Sequence, residues 1–213
     1  MIALPLFAFG QKDSLGLLTK NFKFEDGIYL SFEDFKQNEP SISWDSVYAS
    51  LHTNPQNFIT LVDTIQSKEK NEKLNGLWGF SLAGIPYVNI NVMNEAGLQK
   101  YVGIKVRGSI CYYIMEEKYQ QTETITAYNP LTGVPFRQAD IVTEKEREKP
   151  FMMSFETGEM VEFNQENFLD WIKDDEQLVK SVKNLSPQDR ADKLFKSLLI
   201  YVDRNPVYVP VRE

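Results

Sequence analysis

Two residues are enough to reverse a chain but not to carry it across a sheet, and this chain changes strand through a connection of that size. Residues 77–82 and 85–92 are apolar, β-prone runs separated only by Ala83-Gly84. A parallel crossover needs a dozen residues or more, so the pair must be an antiparallel hairpin. Alanine is not the usual companion of glycine in such a turn. Pro86 has no N–H to donate to a ladder and belongs at a strand start or an edge. Tyr87, Asn89 and Asn91 alternate with Val88, Ile90 and Val92, which predicts one buried and one wetter face. Residues 100–107 and 109–115 read as two further strands, or as one strand bent at Gly108. An antiparallel meander of four or five strands follows.

The flanks carry clearer punctuation. Asp26-Gly27 reads as a turn into a strand at residues 28–30. Ser31 with Asp34 forms a capping-box pattern for a short helix at 32–37 that Asn38-Glu39-Pro40 ends. Tyr29, Phe32 and Phe35 are expected in the core. Asn54-Pro55 marks a turn before the β-prone residues 58–62, and residues 66–75 read as a solvated connection. Residues 116–150 are polar, contain Asn129-Pro130-Leu131-Thr132-Gly133 and Pro135, and end in alternating charges from Glu144 to Lys149. They read as a protruding hairpin or loop insertion, a solvated segment and a natural place to meet a partner.

Farther on, Glu156-Thr157-Gly158-Glu159 joins two short strands. Asn164 caps a helix at 165–173 with Phe168, Leu169, Trp171 and Ile172 on its apolar face. Asp174-Asp175-Glu176 opens a second helix, and Ser186-Pro187-Gln188-Asp189 is a start signal for a third. In that last helix Leu194, Phe195, Leu198, Leu199 and Val202 recur at helical spacing. The expected fold class is α+β: an antiparallel β-meander sheet built from residues 27–163 and packed by C-terminal α-helices within 164–205, all in a single domain spanning 11–213.

Charge narrows the partners. Thirty acidic against 23 basic residues give a net charge of −7. No Lys/Arg cluster offers the positive face that nucleic acid or an anionic membrane surface requires. No apolar run reaches the length of a transmembrane segment. Cys111 is the only cysteine and lies in an apolar stretch, so it can form no intramolecular disulfide and is expected to be buried. Residues 1–10 are apolar and stop at Gln11-Lys12-Asp13, the pattern of a signal-peptide remnant cleaved between Gly10 and Gln11. That predicts an extracytoplasmic protein, periplasmic or secreted, with no lipid-bearing cysteine at the junction.

Asp26-Gly27-Ile28-Tyr29, Phe32 and Phe35 before Asn38-Glu39-Pro40, Trp78-Gly79-Phe80 with Pro86-Tyr87-Val88, Thr157-Gly158, and Asp174-Asp175-Glu176-Gln177-Leu178 occur in that order. The set resembles a family of exported Gram-negative bacterial proteins of unknown function. The resemblance implies export and a shared fold, and transfers no activity and no catalytic residue.

Chemistry is sparse. There is no phosphate-binding glycine loop, zinc-spaced Cys/His set, G-x-S-x-G elbow or EF-hand loop, so no cofactor, metal or catalytic residue is assigned. His52 is the sole histidine and is expected to be an ordinary surface residue. The enzyme alternative is a carboxylate-based hydrolase of envelope or extracellular carbohydrate. It would draw on Glu33, Asp34, Glu116 or Glu117 and would require a deep pocket gathering ionisable groups with shifted pKa values. A binding role would use the sheet's wetter face or residues 116–150, with Trp44, Trp78, Tyr87 and Tyr119 forming one accessible patch. A structural or assembly role would bury those aromatics and present an oligomeric interface. The expectation is an exported, non-catalytic binding or assembly protein whose partner is an envelope protein or a carbohydrate.

Overall fold

Every ladder between the named strands is antiparallel, and the strands sort into three sheets. In the computed structural model residues 14–94 and 96–211 are described, so the signal-peptide expectation for residues 1–10 lies outside the described residues. In chain order the first half comprises β1 (Ser14–Leu17), β2 (Gly27–Tyr29), α1 (Phe32–Lys36), β3 (Val47–Asn54), β4 (Ile59–Ser67), β5 (Gly79–Leu82), β6 (Ile85–Met93) and β7 (Gln99–Gly103). The second half comprises β8 (Ile110–Tyr128), β9 (Pro135–Ser154), β10 (Met160–Glu162), α2 (Gln165–Trp171), α3 (Glu176–Lys183), α4 (Arg190–Arg204) and β11 (Tyr208–Val211).

The largest sheet has six strands in the order β2-β5-β6-β7-β4-β3. Its β5–β6 turn places both Ala83 and Gly84 at positive φ, 52° and 76°, as a primed hairpin turn requires. Alanine tolerates that backbone here because the Asp26 carboxylate accepts hydrogen bonds from the N–H groups of Ala83 (3.1 Å) and Gly84 (2.8 Å) and from Ser81 Oγ (3.0 Å). The predicted division of β6 into one buried and one wet face does not occur. Tyr87 and Val88 are both buried, while residues 91–93 are exposed whichever way they point. The reason is that the sheet packs on both sides. Ile28, Val47, Ile65, Phe80, Tyr87 and Tyr101 cluster on one face, and Tyr29, Val88 and Val102 join Phe35, Tyr113 and Met153 on the other.

The single sheet expected over residues 27–163 is likewise replaced by separate sheets. β8 pairs with β9, and β9 with β10, not with the meander, because the loop 104–109 turns the chain away after β7. Gly108 sits in that loop against α4, where an added Cβ would lie 2.2 Å from Val202 Cγ1. Phe168, Ile172, Leu178, Val182, Leu194 and Leu198 of the helical region cluster with Ile110 and Met152 at the base of β8 and β9. The expectation that helices cover the meander is therefore narrowed to this base. α4 begins at Arg190, later than Ser186-Pro187 suggests: Ser186 Oγ accepts from the Asp189 N–H (3.3 Å) and closes a preceding turn.

α1 shows the predicted capping box in full, with Ser31 Oγ accepting from Asp34 N–H and Asp34 Oδ2 from Ser31 N–H. It ends in a Schellman motif: Glu39 N–H donates to Asp34 O (2.8 Å) and Asn38 N–H to Phe35 O (3.0 Å), with Asn38 at φ 52°. Asn38 is 1% exposed. Its Oδ1 accepts from Glu25 N–H (2.7 Å) and Tyr29 OH (3.3 Å), and its Nδ2 donates to Pro210 O (3.0 Å). It thereby ties α1 to β2 and to β11, which pairs with β1 and places Val209 in the main core.

Asn38→Ala strands buried polar groups and is expected to lower stability by about 2–4 kcal/mol. Ala83→Asn keeps the turn at a residue that accepts positive φ and is expected to raise stability by about 0.5–1 kcal/mol. Shifts of the urea unfolding midpoint in opposite directions check both.

Candidate functional site: a projecting arm and the cleft at its root

β8 and β9 pair without interruption from Ile110↔Ser154 to Ala127↔Arg137, with a bulge before Tyr128↔Pro135. Their inner ends are buried, but from residue 118 outward and back to 148 the hairpin is largely exposed on both faces. The ten residues 119–128 make an arm about 35 Å long at strand rise. A chain rich in Thr, Ile, Val and Tyr favours the extended backbone. Cross-strand ion pairs add to it: Lys118–Glu144 at 2.8 Å, Lys145–Glu123 at 3.0 Å and Arg147–Glu117 at 2.8 Å, each worth about 0–1 kcal/mol at the surface. At the tip Asn129 and Gly133 close a turn, with Gly133 N–H donating to Asn129 O (2.8 Å) and Asn129 N–H to Val134 O (2.9 Å).

This arm carries the apolar groups that a solvated segment should lack. Leu131 is 93% exposed, Phe136 68%, Tyr128 59% and Ile125 52%, joined by Val134, Ile141 and Val142. Strand alternation puts Ile125, Ala127, Ala139 and Ile141 on one face and Thr122, Thr124, Thr126 and Val142 on the other.

Where the arm leaves the body, a cleft of about 820 Å³ opens beside the outer ends of β3, β4, β6 and β7. Ile59, Leu61, Met93, Met115 and Phe151 supply apolar wall, and His52, Lys100, Glu116, Glu117, Glu144 and Lys149 supply charge. The cleft thus gathers ionisable groups, the first thing a hydrolase would need. The second, a shifted carboxyl, is met at Glu117, but the shift is downward. Hydrogen bonds from Arg147 hold the Glu117 carboxyl below its ordinary range, with the charges of Lys149 and Arg147 assisting against slight burial. Lys149 is shared between Glu117 (3.7 Å) and Glu162 (3.0 Å), and Glu116 Oε1 accepts from Asn57 Nδ2 (2.8 Å). A general acid requires a carboxyl pushed upward instead. The arrangement can hold a ligand by shape and charge.

Of the residues singled out from sequence, Glu116, Glu117 and His52 meet in this cleft, whereas Glu33 and Asp34 sit on α1 and line no wall of it. Glu33 accepts from Gln37 Nε2 (2.8 Å). Burial works to raise Asp34, but hydrogen bonds from Ser41 and Ser31 outweigh it and keep its carboxyl low. The four aromatics form no common accessible patch. Tyr87 is buried, Trp78 stacks on Phe35, Trp44 packs edge-on to Phe80 and donates to Ser81 O (2.8 Å), and Tyr119 lies on the arm beneath Arg147. Cys111 is buried, which pushes its thiol up to about 12 although Arg107 works the other way. Among the described residues no group of three or more His, Cys, Asp or Glu is placed to hold a metal ion, and no helix is long and apolar enough to cross a membrane. A second cleft of about 710 Å³, lined by Lys36, Glu156, Trp171 and Tyr201, joins residues too far apart in sequence for any motif to reveal.

Because Glu117 titrates below its ordinary 4.5 in the folded protein, its attraction to Arg147 is fully present above that value and is lost as pH falls through the lower folded value. A carboxyl ¹³C titration is expected to place the Glu117 midpoint below 4.5, and Arg147→Gln to move it upward. Compared with known protein families, curated proteins and solved structures, the chain shows no match, so the resemblance to exported Gram-negative proteins rests on its own short motifs.

Proposed function

We propose that this is an exported, non-catalytic protein of the bacterial cell envelope, periplasmic or secreted, that acts by binding or assembly through its β8–β9 arm. The observation that carries the reading is the exposed apolar series from Ile125 to Val142 on a hairpin that packs on nothing else over residues 119–141 among the described residues. An isolated two-stranded hairpin is marginal in water, and apolar patches of this kind on folded proteins mark contact sites. The burial of Tyr87 and the packing of Trp44 and Trp78 into the body favour assembly over a stacking platform for sugars. The apolar residues 1–10 support export.

A carboxylate-based hydrolase acting at the cleft is the second reading, favoured by the meeting of Glu116 and Glu117 there and opposed by the downward shift of Glu117. Replacing residues 118–146 by an Asn-Gly turn, which joins the paired residues Glu117 and Arg147, tests the first reading. Full-length and shortened proteins are both expected to unfold cooperatively, and only the full chain is expected to capture proteins from envelope extract, identified by mass spectrometry. Capture of the same set by both, or polysaccharide hydrolysis abolished by Glu117→Gln, would overturn it.

A further inference from the structure

Among the described residues the arm has two edges with no further strand along them, and they differ in a way that selects a partner. On the outer edge of β9, charge alternates with a period of two: Glu144, Glu146 and Glu148 point to one face and Lys145, Arg147 and Lys149 to the other. Two copies pairing antiparallel about a two-fold axis normal to the sheet keep each side chain on its own face. Glutamate then meets glutamate, and cation meets cation. Like charges directly opposite one another oppose pairing, so this edge is guarded at its root, and farther out it carries Arg137, Asp140 and Pro135, the last with no N–H to donate.

The outer edge of β8 is not. Over residues 119–128 it reads Tyr-Gln-Gln-Thr-Glu-Thr-Ile-Thr-Ala-Tyr, with Glu123 as its only charge. That carboxylate is already engaged by Lys145 at 3.0 Å. Beyond β9, no backbone partner is present for these residues among the described ones, so every second N–H and C=O of the edge faces outward.

We propose that two copies of this chain join antiparallel through the outer edges of β8, with Thr124 of each opposite Thr124 of the other. The proposal rests on the arm being the contact element. In this register Glu123 faces Ile125 of the other copy, Thr122 faces Thr126, Gln121 faces Ala127 and Gln120 faces Tyr128, so no like charges oppose. A shift that centres the pair on Glu123 sets two carboxylates together and is disfavoured. Ile125, Ala127, Ala139 and Ile141 of both copies then share one face of a four-stranded sheet, and the two Ile125 side chains lie diagonally adjacent across the axis, within reach of each other.

The same register explains the tip. Asn129 of one copy comes level with Tyr119 of the other, so residues 130–134, including Leu131, reach the root of the opposite arm. There the 820 Å³ cleft presents Met93, Met115 and Phe151. The arrangement is isologous and closes on itself, using both β8 edges, whereas pairing β8 with a neighbour's β9 would leave an edge open at each step and grow a filament.

Sedimentation equilibrium of the full chain at micromolar concentration, with variants, tests the proposal. The wild-type chain is expected to be a dimer. Ile125→Glu places carboxylates opposite Glu123 twice per dimer and is expected to raise the dissociation constant by about tenfold or more. Ile125→Lys loses the same isoleucine yet sets an ammonium opposite Glu123 twice, and is expected to hold or tighten the dimer. Thr124→Cys, facing itself across the axis within disulfide reach, should give a covalent dimer on mild oxidation, and Gln120→Cys should not.

A monomeric wild-type chain, equal responses to the two Ile125 variants, or equal cross-linking of the two cysteines would each overturn the proposal. So would a dimer that survives replacement of residues 118–146, or one that forms only after removal of residues 1–10, which would identify that segment as the occupant of the edge. A monomer whose arm still captures an envelope protein overturns the dimer and leaves the contact-arm reading standing.

Discussion

The side-chain amide of Asn38 is where the first turns of the chain and a strand remote in sequence are held to one another. It accepts from Glu25 N–H and Tyr29 OH and donates to Pro210 O, 172 residues downstream. A buried amide must have its partners or cost free energy, so the position of β11 is set by the end of a five-residue helix near the start of the chain. Around it Phe24 stacks on Phe35, Phe35 on Trp78, and Tyr29 meets Phe35 edge-on. The amide sets orientation and the rings supply burial. Neither would place the meander correctly without the other, because aromatic packing tolerates rotation that directed hydrogen bonds do not.

That packing is what frees the arm. The six-stranded sheet buries residues on both of its faces, and the helices bury the inner ends of β8 and β9 through Ile110 and Met152. Among the described residues the body therefore asks nothing of residues 119–141, which continue the same ladder outward with exposed side chains. A rigid root with a long outgrowth differs from a floppy insertion: the ladder that runs through the body sets the direction of the arm, and its side chains keep fixed faces. Binding through a strand already extended also loses less conformational freedom than binding through a loop.

Much of the local chemistry was legible in the residues. Ser31 with Asp34, Ala83-Gly84 and Asn164 each announce a cap or turn through neighbours within three positions, and each forms as expected. What was hidden depends on distance. The tolerance of Ala83 for positive φ comes from Asp26, 57 residues away in sequence. The burial of Tyr87 on one face and Val88 on the other follows from packing that no pattern of alternation within β6 can report. Residues 144–149 concealed a strand for a different reason. Their period of two is a period of charge, not hydropathy, so the run reads as solvated although its alternation is that of extended chain. The cleft was half visible, since Glu116 and Glu117 could be named but their partners Asn57, Arg147 and Lys149 could not.

The pairing of β1 with β11 carries a consequence in time. Ser14–Leu17 lies against Tyr208–Val211, and Val209 completes the same core that Leu18 and Phe22 begin. A ribosome or an export channel delivers a chain from one end, so the earliest of these core segments must wait for nearly two hundred residues before it meets its partner. Contacts of such sequence separation form late. A polypeptide arranged in this way stays short of its final core while it is still being threaded, and it locks only once its last strand has arrived.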